Sequence, residues 1–190
     1  MYHVKEDKRS RVSAEMIYTG LMDCLKEKPL NELTVREIAD RAGVGRATFY
    51  RNFDSPVDVL HRQCDRCFEE VLTGFLSEYR QGLQGHNDFL VYFFRYWMDR
   101  SALLEALAAA NRTDIISECH LRHSDLITSE FAPEMDVRSE DYVYFISVRT
   151  GIMTSVLTAW VRTGRKKTPE ELVSLMTGYL EDAVKGRILF

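Results

Sequence analysis

The stretch TVREIADRAGVGRATFYRNF, residues 34–53, holds two short helical patterns separated by a glycine-containing break. In the first pattern, apolar residues at positions 35, 38, 39 and 42 recur at helical spacing, which predicts one narrow buried face. Gly43 can take the left-handed conformation that ends a helix, and Gly45 can cap the next helix. Because the break is only about three residues long, the stretch predicts a helix-turn-helix.

The second helix of this pair is about two turns long, which is too short to be stable in isolation. We therefore predict that Phe49 and Phe53, four residues apart, anchor it to its neighbours. Its other polar and aromatic side chains then face outward, and none is acidic. Such a helix fits the major groove of DNA, where its amides favour phosphate and its side chains reach base edges. Ordinary packing of two helices with a solvated face is the alternative that these residues leave open.

Charge is distributed unevenly along the 190 residues, whose formal net charge is -4. Residues 1–62 carry 11 Lys and Arg against 10 Asp and Glu, whereas the remaining residues carry 14 against 19. The sequence therefore predicts a local positive face near the N-terminus rather than a basic protein as a whole.

Several classes of protein are disfavoured by the sequence. The four cysteines are scattered and no apolar signal region opens the chain, so we predict a cytoplasmic protein with reduced thiols. Cys64 and Cys67 lie in a helical pattern without a second pair at zinc spacing, which indicates buried helix residues. No apolar run reaches the 18 or so residues of a membrane span. Nucleophile-elbow, phosphate-loop and metalloprotease motifs are missing, so we predict no enzyme, no cofactor and no metal.

Helical spacing of apolar residues along almost the whole chain predicts an all-α protein of about nine helices. Helix starts are indicated by hydroxyl residues followed by an acid three positions later, at Thr34, Ser55 and Thr168. Breaks are indicated at Pro29, in QGLQGHND (81–88), at Pro133 and at Gly164. The predicted helices span about 10–28, 35–42, 46–53, 56–80, 88–100, 101–110, 113–130, 140–163 and 169–185.

The N-terminal pattern resembles the TetR/AcrR family of transcriptional regulators. The matching residues are Thr34, Val35, Ile38, Ala39, Ala42, Gly43, Val44, Thr48, Phe49, Tyr50, Phe53 and Ser55. The resemblance implies a three-helix helix-turn-helix DNA-binding domain at residues 1–55 and a C-terminal helical ligand-binding and dimerisation domain at 56–190. It also implies a homodimer whose short helices enter successive major grooves.

The resemblance further implies roles for individual side chains in binding double-stranded DNA. Base edges lie closest to Arg46 and Ala47, and Arg36 reaches the backbone or a base. Phosphates are contacted by Thr34, Thr48 and Tyr50, and Arg51 and Asn52 contact phosphates or base edges. Two positions depart from the family pattern, because Gly45 replaces a common Ser or Thr and Pro56 replaces a common Lys that contacts phosphate. These departures predict weaker binding to the DNA backbone.

The helix predicted at about 140–163 carries Gly151, Ser155 and Ala159 at steps of four. Such a stripe lets a second helix approach closely, so this helix and the one at 169–185 can form half of a four-helix dimer interface. The run from Trp160 to Leu172 also resembles the dimerisation segment of some TetR-type regulators. Packing of the stripe within one protomer is the alternative.

A dense aromatic segment, FLVYFFRYWM at residues 89–98, offers more aromatic surface than one core face needs. It predicts a cavity for a small, largely apolar effector, with ordinary core as the alternative. His120 and His123 have no third metal ligand at helical spacing and are better suited to orienting that effector. The predicted effector-binding residues are Phe93, Tyr96, Trp97, His120 and His123.

Together these features predict a ligand-responsive transcription factor, a repressor that a small molecule releases from a palindromic operator. An activator whose ligand favours DNA binding is the alternative within the same class. A helical adaptor that binds protein through the short exposed helix is the alternative from another class.

Overall fold

Nine α-helices build the part of the chain that this computed structural model describes, which comprises residues 1–79, 86–131 and 134–185. Within these ranges the only β pairing is an isolated bridge between Tyr2 and Phe53. The predicted all-α class is confirmed. The helices are α1 (Lys8–Cys24), α2 (Val35–Arg41), α3 (Arg46–Asn52), α4 (Pro56–Tyr79), α5 (His86–Asp99), α6 (Ser101–Ala109), α7 (Asp114–Phe131), α8 (Glu140–Arg162) and α9 (Pro169–Val184), with a short 3-10 helix at Leu30–Glu32.

The boundaries of α1 differ most from the sequence prediction. The Asp7 side chain accepts a hydrogen bond from the Ser10 amide at 2.9 Å, so α1 begins at Lys8 rather than at residue 10. It ends at Cys24 because residues 25–28 form turns, with the Lys26 amide bonded to the Asp23 carbonyl. The predicted end at residue 28 was wrong. Of the predicted breaks, residues 81–85 and 133 lie outside the described residues.

Helices α1, α2 and α3 share one small apolar core. Ile17, Leu21, Ile38, Phe49 and Phe53 are completely buried there. Helices α1 and α2 approach so closely at Gly20 that a Cβ atom on this residue would lie 2.8 Å from the Ala42 Cβ. Only glycine fits this crossing, which fixes the position of the pair α2 and α3.

Helix α4 joins this N-terminal unit to the remaining helices. Two guanidinium groups on α4, those of Arg62 and Arg66, pair with Glu15 on α1, and the Arg62 Nη1 to Glu15 Oε1 distance is 2.7 Å. The apolar core runs without interruption from α1 to α9. A division of the chain at residues 55 and 56 therefore remains a prediction.

The C-terminal helices pack around α4 and α5. Helix α7 lies against α4 and α8, α8 also lies against α6, and α9 lies against α5. A complete capping box starts α9, in which the Thr168 hydroxyl accepts from the Glu171 amide and the Glu171 carboxylate accepts from the Thr168 amide. In the described ranges, none of the helices has the length and apolar character that crossing a membrane requires.

Candidate nucleic-acid interface

Local hydrogen bonds define the turn between α2 and α3. Thr34 caps α2, since its Oγ1 accepts from the Glu37 amide at 3.2 Å and its own amide donates to Glu37 Oε2 at 2.9 Å. Gly43 has a φ of 66°, in the left-handed region, and the next amide reaches back to the Ala39 carbonyl at 3.0 Å. Gly45 precedes α3 without a side-chain cap. The predicted helix-turn-helix and both glycine roles are confirmed.

Helix α3 presents a basic and aromatic surface to solvent. Phe49 is completely buried and its ring contacts Phe53 at a centroid distance of 5.8 Å. Tyr50 is 55% exposed, and Arg46, Ala47 and Arg51 are also exposed. No acid lies within α3. The short helix is thus pinned from one side and free on the other.

Two further candidate side chains flank this surface. The Arg36 side chain on α2 is 78% exposed and lies 3.7 Å from Asp40 Oδ2, a long ion pair that leaves it available. The Thr48 hydroxyl accepts a hydrogen bond from Arg51 Nη2 at 3.0 Å, which holds the two side chains together. The structure therefore places Arg36 and Thr48 beside the exposed side of α3.

Asn52 does not lie on this surface, contrary to the sequence prediction. It is 2% exposed, and its Nδ2 donates to the Thr48 carbonyl at 2.7 Å. Its Oδ1 accepts from Ser10 Oγ at 2.8 Å. Asn52 therefore ties the end of α3 to the start of α1, because an amide side chain can satisfy both groups at once.

An N-terminal arm, residues 1–7, runs along the end of α3, a contact that the sequence did not predict. The His3 amide donates to the Asn52 carbonyl at 2.8 Å, and His3 Nε2 lies 2.9 Å from Asp54 Oδ1. The Tyr2 hydroxyl donates to Asp65 Oδ2 on α4 at 2.8 Å. These partners lie about fifty or more residues away in sequence, so local patterns hold no signal for them.

Asp65 connects this arm to α7. It is 3% exposed, its Oδ2 also pairs with Arg122, and its Oδ1 lies 3.2 Å from His123 Nε2. Burial alone would raise the pKa of Asp65, but hydrogen bonds with His123 and Tyr2 and the charge of Arg122 hold it below its usual value. The carboxylate is thus kept ionised at a point where the arm, α4 and α7 meet.

The predicted effector-binding residues fall into two groups. Phe93, Trp97 and His120 are buried around the ring of Phe68, with centroid distances to Phe68 of 6.0, 5.3 and 5.4 Å. Tyr96 instead donates to Glu70 Oε2 at 2.5 Å. His123 stacks on Phe68 at 6.2 Å, and its Nε2 lies 3.2 Å from Asp65 Oδ1. The structure therefore brings four of the five around Phe68, and two of the five, Tyr96 and His123, are engaged by carboxylates.

Polar atoms in the first group lack partners. Trp97 Nε1 and His120 Nε2 are buried without a hydrogen bond in the described part of the chain. Burial, followed by the charges of Arg149 and His123, lowers the pKa of His120 to about 3, so this imidazole is neutral at physiological pH. Arg149 was missed by the sequence analysis, although it is the only charged residue between Asp141 and Arg162. A lone charge in an otherwise uncharged helical run was the available signal.

The described residues include no group of three or more His, Cys, Asp or Glu side chains placed to hold a metal ion. The four cysteines are buried free thiols, as predicted for Cys64 and Cys67. Cys119 Sγ lies 3.8 Å from the His61 carbonyl, a contact between α7 and α4.

A comparison with known families identifies the N-terminal helices. Residues 17–62 match the family described as bacterial regulatory proteins, tetR family. This span runs from within α1, through the helix-turn-helix, into α4. Residues 17–62 are therefore similar to the N-terminal domain of tetR-family regulators. The resemblance seen in the sequence is therefore confirmed, on the span that carries the exposed α3 surface.

The curated relatives are likewise helix-turn-helix transcriptional regulators. An HTH-type transcriptional regulator of Staphylococcus aureus (strain USA300) is 26% identical over 110 residues, which are 56% of this chain. The chain spans 58% of the length of the curated relatives it matches. The matched family and these relatives are described as regulators, in agreement with the prediction that the protein is a regulator rather than an enzyme.

Solved structures show that the fold extends beyond the tetR domain. Lin0861 from Listeria innocua has a TM-score of 0.77 at 16% identity and covers 94% of each chain. The fatty acid degradation regulator FadR from Bacillus halodurans has a TM-score of 0.58 at 20% identity, covering 90% of this chain and 93% of that chain. At these identities the likeness establishes the shared helical architecture.

Proposed function

We propose that this protein is a ligand-responsive transcriptional regulator that binds a palindromic operator in double-stranded DNA as a homodimer. The observation that carries the proposal is the exposed, acid-free α3 of a tetR-type domain. In the version we favour, the protein is a repressor that a small molecule releases from DNA. An activator would use the same parts, with a ligand that prefers the DNA-bound geometry.

The geometry of α3 supports contact with the major groove. Phe49 and Phe53 hold one side of the helix against α1 and α2, so the exposed side is rigid. Arg46 and Ala47 lie in its first turn, where side chains of a recognition helix meet base edges. Thr34, Arg36, Thr48, Tyr50 and Arg51 surround that turn and supply contacts to the phosphate backbone. Asn52 is buried and is no longer among the proposed contacts.

An uncovered surface on α8 and α9 supports the homodimer. Gly151, Ser155 and Ala159 are exposed, and a Cβ atom on Gly151 would meet no other atom within 4 Å. Helix α9 exposes Leu175 and Tyr179. A second copy of the chain would cover both helices in a four-helix interface. Such a dimer should place its two α3 helices roughly 34–36 Å apart for adjacent major grooves.

Asp65 and its three partners, Tyr2, Arg122 and His123, offer a route from an effector to α3. A ligand between α5, α7 and α8 that shifts α7 would move Arg122 and His123, the two groups that hold Asp65 from one side. The arm residue Tyr2 holds Asp65 from the other side and pairs with Phe53 at the end of α3. A differential affinity on the order of 1–3 kcal/mol between the two arrangements would change operator occupancy substantially.

DNA binding is tested with fragments flanking the protein's own gene in a gel-shift assay at several salt concentrations. We expect a specific shift that Arg46→Ala with Tyr50→Ala weakens by more than about tenfold, since a lost base contact costs about 1–3 kcal/mol. Arg95→Ala is the matched control, because Arg95 is exposed on α5 and pairs with Glu170. The control should bind like the unchanged protein.

Two outcomes would contradict the proposal. One is the lack of a specific shift at low salt with every upstream fragment. The other is a double variant that binds DNA as well as the unchanged protein, which would favour the helical adaptor instead. Adding candidate metabolites to a working assay separates the repressor from the activator, because the shift is lost in one case and strengthened in the other.

A further inference from the structure

Four polar side chains in the C-terminal helices have buried nitrogen or oxygen atoms without a hydrogen-bond partner in the described residues. Trp97 on α5 is 0% exposed and His120 on α7 is 2% exposed, and the ring nitrogens Nε1 and Nε2 make no hydrogen bond in the described residues. On α8, Arg149 Nε and Nη2 and Thr150 Oγ1 are likewise buried and unpaired. The guanidinium carbon of Arg149 lies 5.7 Å from the centre of the Phe145 ring, but no carboxylate pairs with it in the described residues. Buried polar groups are normally hydrogen-bonded, and a partly buried cation without a counter-ion is unfavourable.

These side chains lie in one layer of the molecule. Trp97 and His120 share two ring neighbours, since Phe93 lies 6.2 Å from Trp97 and 6.1 Å from His120, and Phe68 also contacts both. They come from α5 and α7 respectively, so the two helices meet around this pair of phenylalanines.

The register of α7 against α8 brings Arg149 and Thr150 to the same level. Ser117 Oγ lies 3.1 Å from Thr154 Oγ1, and the two helices run antiparallel, as the Thr128 to Tyr142 hydroxyl contact of 3.0 Å shows. His120 follows Ser117 by three residues and Thr150 precedes Thr154 by four, so His120 and Thr150 face each other across the pair. The positive charge of Arg149 acts on the His120 imidazole and helps to lower its pKa.

The chemistry of this layer is biased toward hydrogen-bond donors. An indole N–H and a guanidinium group can only donate, and the neutral imidazole of His120 can donate or accept. The nearby carboxylates are already engaged, because Asp125 accepts from the Tyr142 hydroxyl at 3.1 Å and Asp65 is held by Tyr2, Arg122 and His123. Phe68 and Phe93 supply an apolar lining beside these donors. A matching ligand therefore presents acceptors and negative charge on an apolar body.

We propose that Arg149, Trp97 and His120 form the recognition site for a small organic carboxylate with an apolar body. The inference rests on the proposed function in that this carboxylate would be the effector. Arg149 binds the carboxylate with its paired N–H groups, Trp97 and His120 add single hydrogen bonds, and the phenylalanine rings hold the apolar part. The charge of Arg149, which has no carboxylate partner among the described residues, is neutralised when the ligand binds.

Isothermal titration calorimetry with two matched pairs of probes tests this site. Octanoate is compared with octanol, and phenylacetate with phenylethanol, so that each pair differs in the carboxylate alone. We expect at least one carboxylate to bind about tenfold or more tightly than its alcohol, since charge-assisted hydrogen bonds are about twice as strong as neutral ones. Arg149→Gln should remove this preference, and Arg138→Gln, at an exposed position before α8, should keep it.

Additional variants keep the test decisive. If Arg149→Gln does not fold by circular dichroism, Arg149→Lys keeps the charge without the planar pair of donors and should weaken carboxylate binding severalfold. The chain has two tryptophans, so in a Trp160→Phe variant the fluorescence reports on Trp97 alone. Octanoate or phenylacetate must change that emission; carboxylate binding that leaves it unchanged would place the ligand elsewhere and overturn the inference.

The remaining outcomes separate this inference from the proposed function. Equal binding of carboxylates and alcohols, binding of neither, or an Arg149→Gln variant that retains the preference would each overturn the carboxylate site. The operator shift measured without any probe is independent of these results. Loss of the site with an intact operator shift refutes the inference alone, whereas carboxylate binding without any operator shift refutes the proposed function.

Discussion

The N-terminal reading unit, which comprises residues 1–62, and the sensor core, which comprises the side chains around Phe68, treat their buried polar groups differently. In the reading unit, Asn52 bonds to Thr48 and Ser10, and Arg62 bonds to Glu15. In the described residues, every buried side-chain atom that lacks a partner belongs to residues 63–150. In the described residues, the buried side-chain polar atoms of the reading unit are therefore all hydrogen-bonded, whereas several of those in the sensor core are not.

This difference fits the separate tasks proposed for the two regions. A helix that reads DNA must keep its geometry, and a fully bonded, fully packed support provides this. A sensor must gain free energy when its ligand arrives, and unpaired polar groups in the free protein provide a source of that gain. Violations of the usual rules of burial are expected where a protein binds its ligand.

The largest predicted effect concerns the packing of the reading unit. Phe49→Ala removes a completely buried ring between α1, α2 and α3, and we expect the free energy of unfolding to fall by about 3–5 kcal/mol. Urea unfolding followed by circular dichroism measures the change. Tyr50→Ala on the same helix is the control and should change stability by less than about 0.5 kcal/mol, because that ring is exposed. Equal losses in both variants would show that α3 is not anchored as described.

Most of the reading unit could be predicted from its sequence because its contacts are local. The helix periodicity, the Thr34 capping box and the two turn glycines act within a few residues of one another, and all are confirmed. The error at Asn52 has a physical cause: its position on α3 suggested an outward side chain, but Ser10 is the partner that holds it inward. That partner lies 42 positions away in sequence.

The sensor core was only partly predictable. The aromatic segment of α5 indicated an apolar cluster, and Phe93, Trp97 and His120 do meet there. The sequence did not show that Phe68 joins them from α4, or that Tyr96 and His123 are engaged by Glu70 and Asp65. These outcomes depend on how four helices pack together, which periodicity within one helix cannot reveal.

A smaller effect of opposite sign tests the incomplete core. Arg149→Met replaces a guanidinium whose Nε and Nη2 are buried without a hydrogen bond in the described residues, and the new side chain is apolar and of similar length. In ligand-free protein we expect the free energy of unfolding to rise by about 1–3 kcal/mol, since the cost of an unsatisfied buried group is removed. Thermal unfolding measures this, and Arg138→Met, at an exposed position, should have almost no effect. A destabilised Arg149→Met variant would mean that Arg149 is already paired and that the two regions do not differ in this respect.

The smallest effect tests whether water is excluded from the sensor core. It appears as a dependence of the free energy of unfolding on pH. Burial lowers the pKa of His120 from about 6.5 to about 3 in the folded protein, so between these values the unfolded chain binds the extra proton. Stability should therefore fall as the pH drops below 6.5, by at most about 1.4 kcal/mol per pH unit from this residue. His120→Gln removes that contribution, so its stability should fall by about 1 kcal/mol less than that of the unchanged protein between pH 6.5 and 5.5.

Asp65 does not mask the difference, because its pKa lies below the usual value near 3.8 and it loses stabilising charge only at lower pH. Urea unfolding of the unchanged protein and of His120→Gln at a series of pH values gives the comparison. If the free energy of unfolding of the unchanged protein and of His120→Gln depended on pH with the same slope, the imidazole would take up its proton in the folded state. The sensor core would then be hydrated, and its donors would have water as a partner before any carboxylate binds.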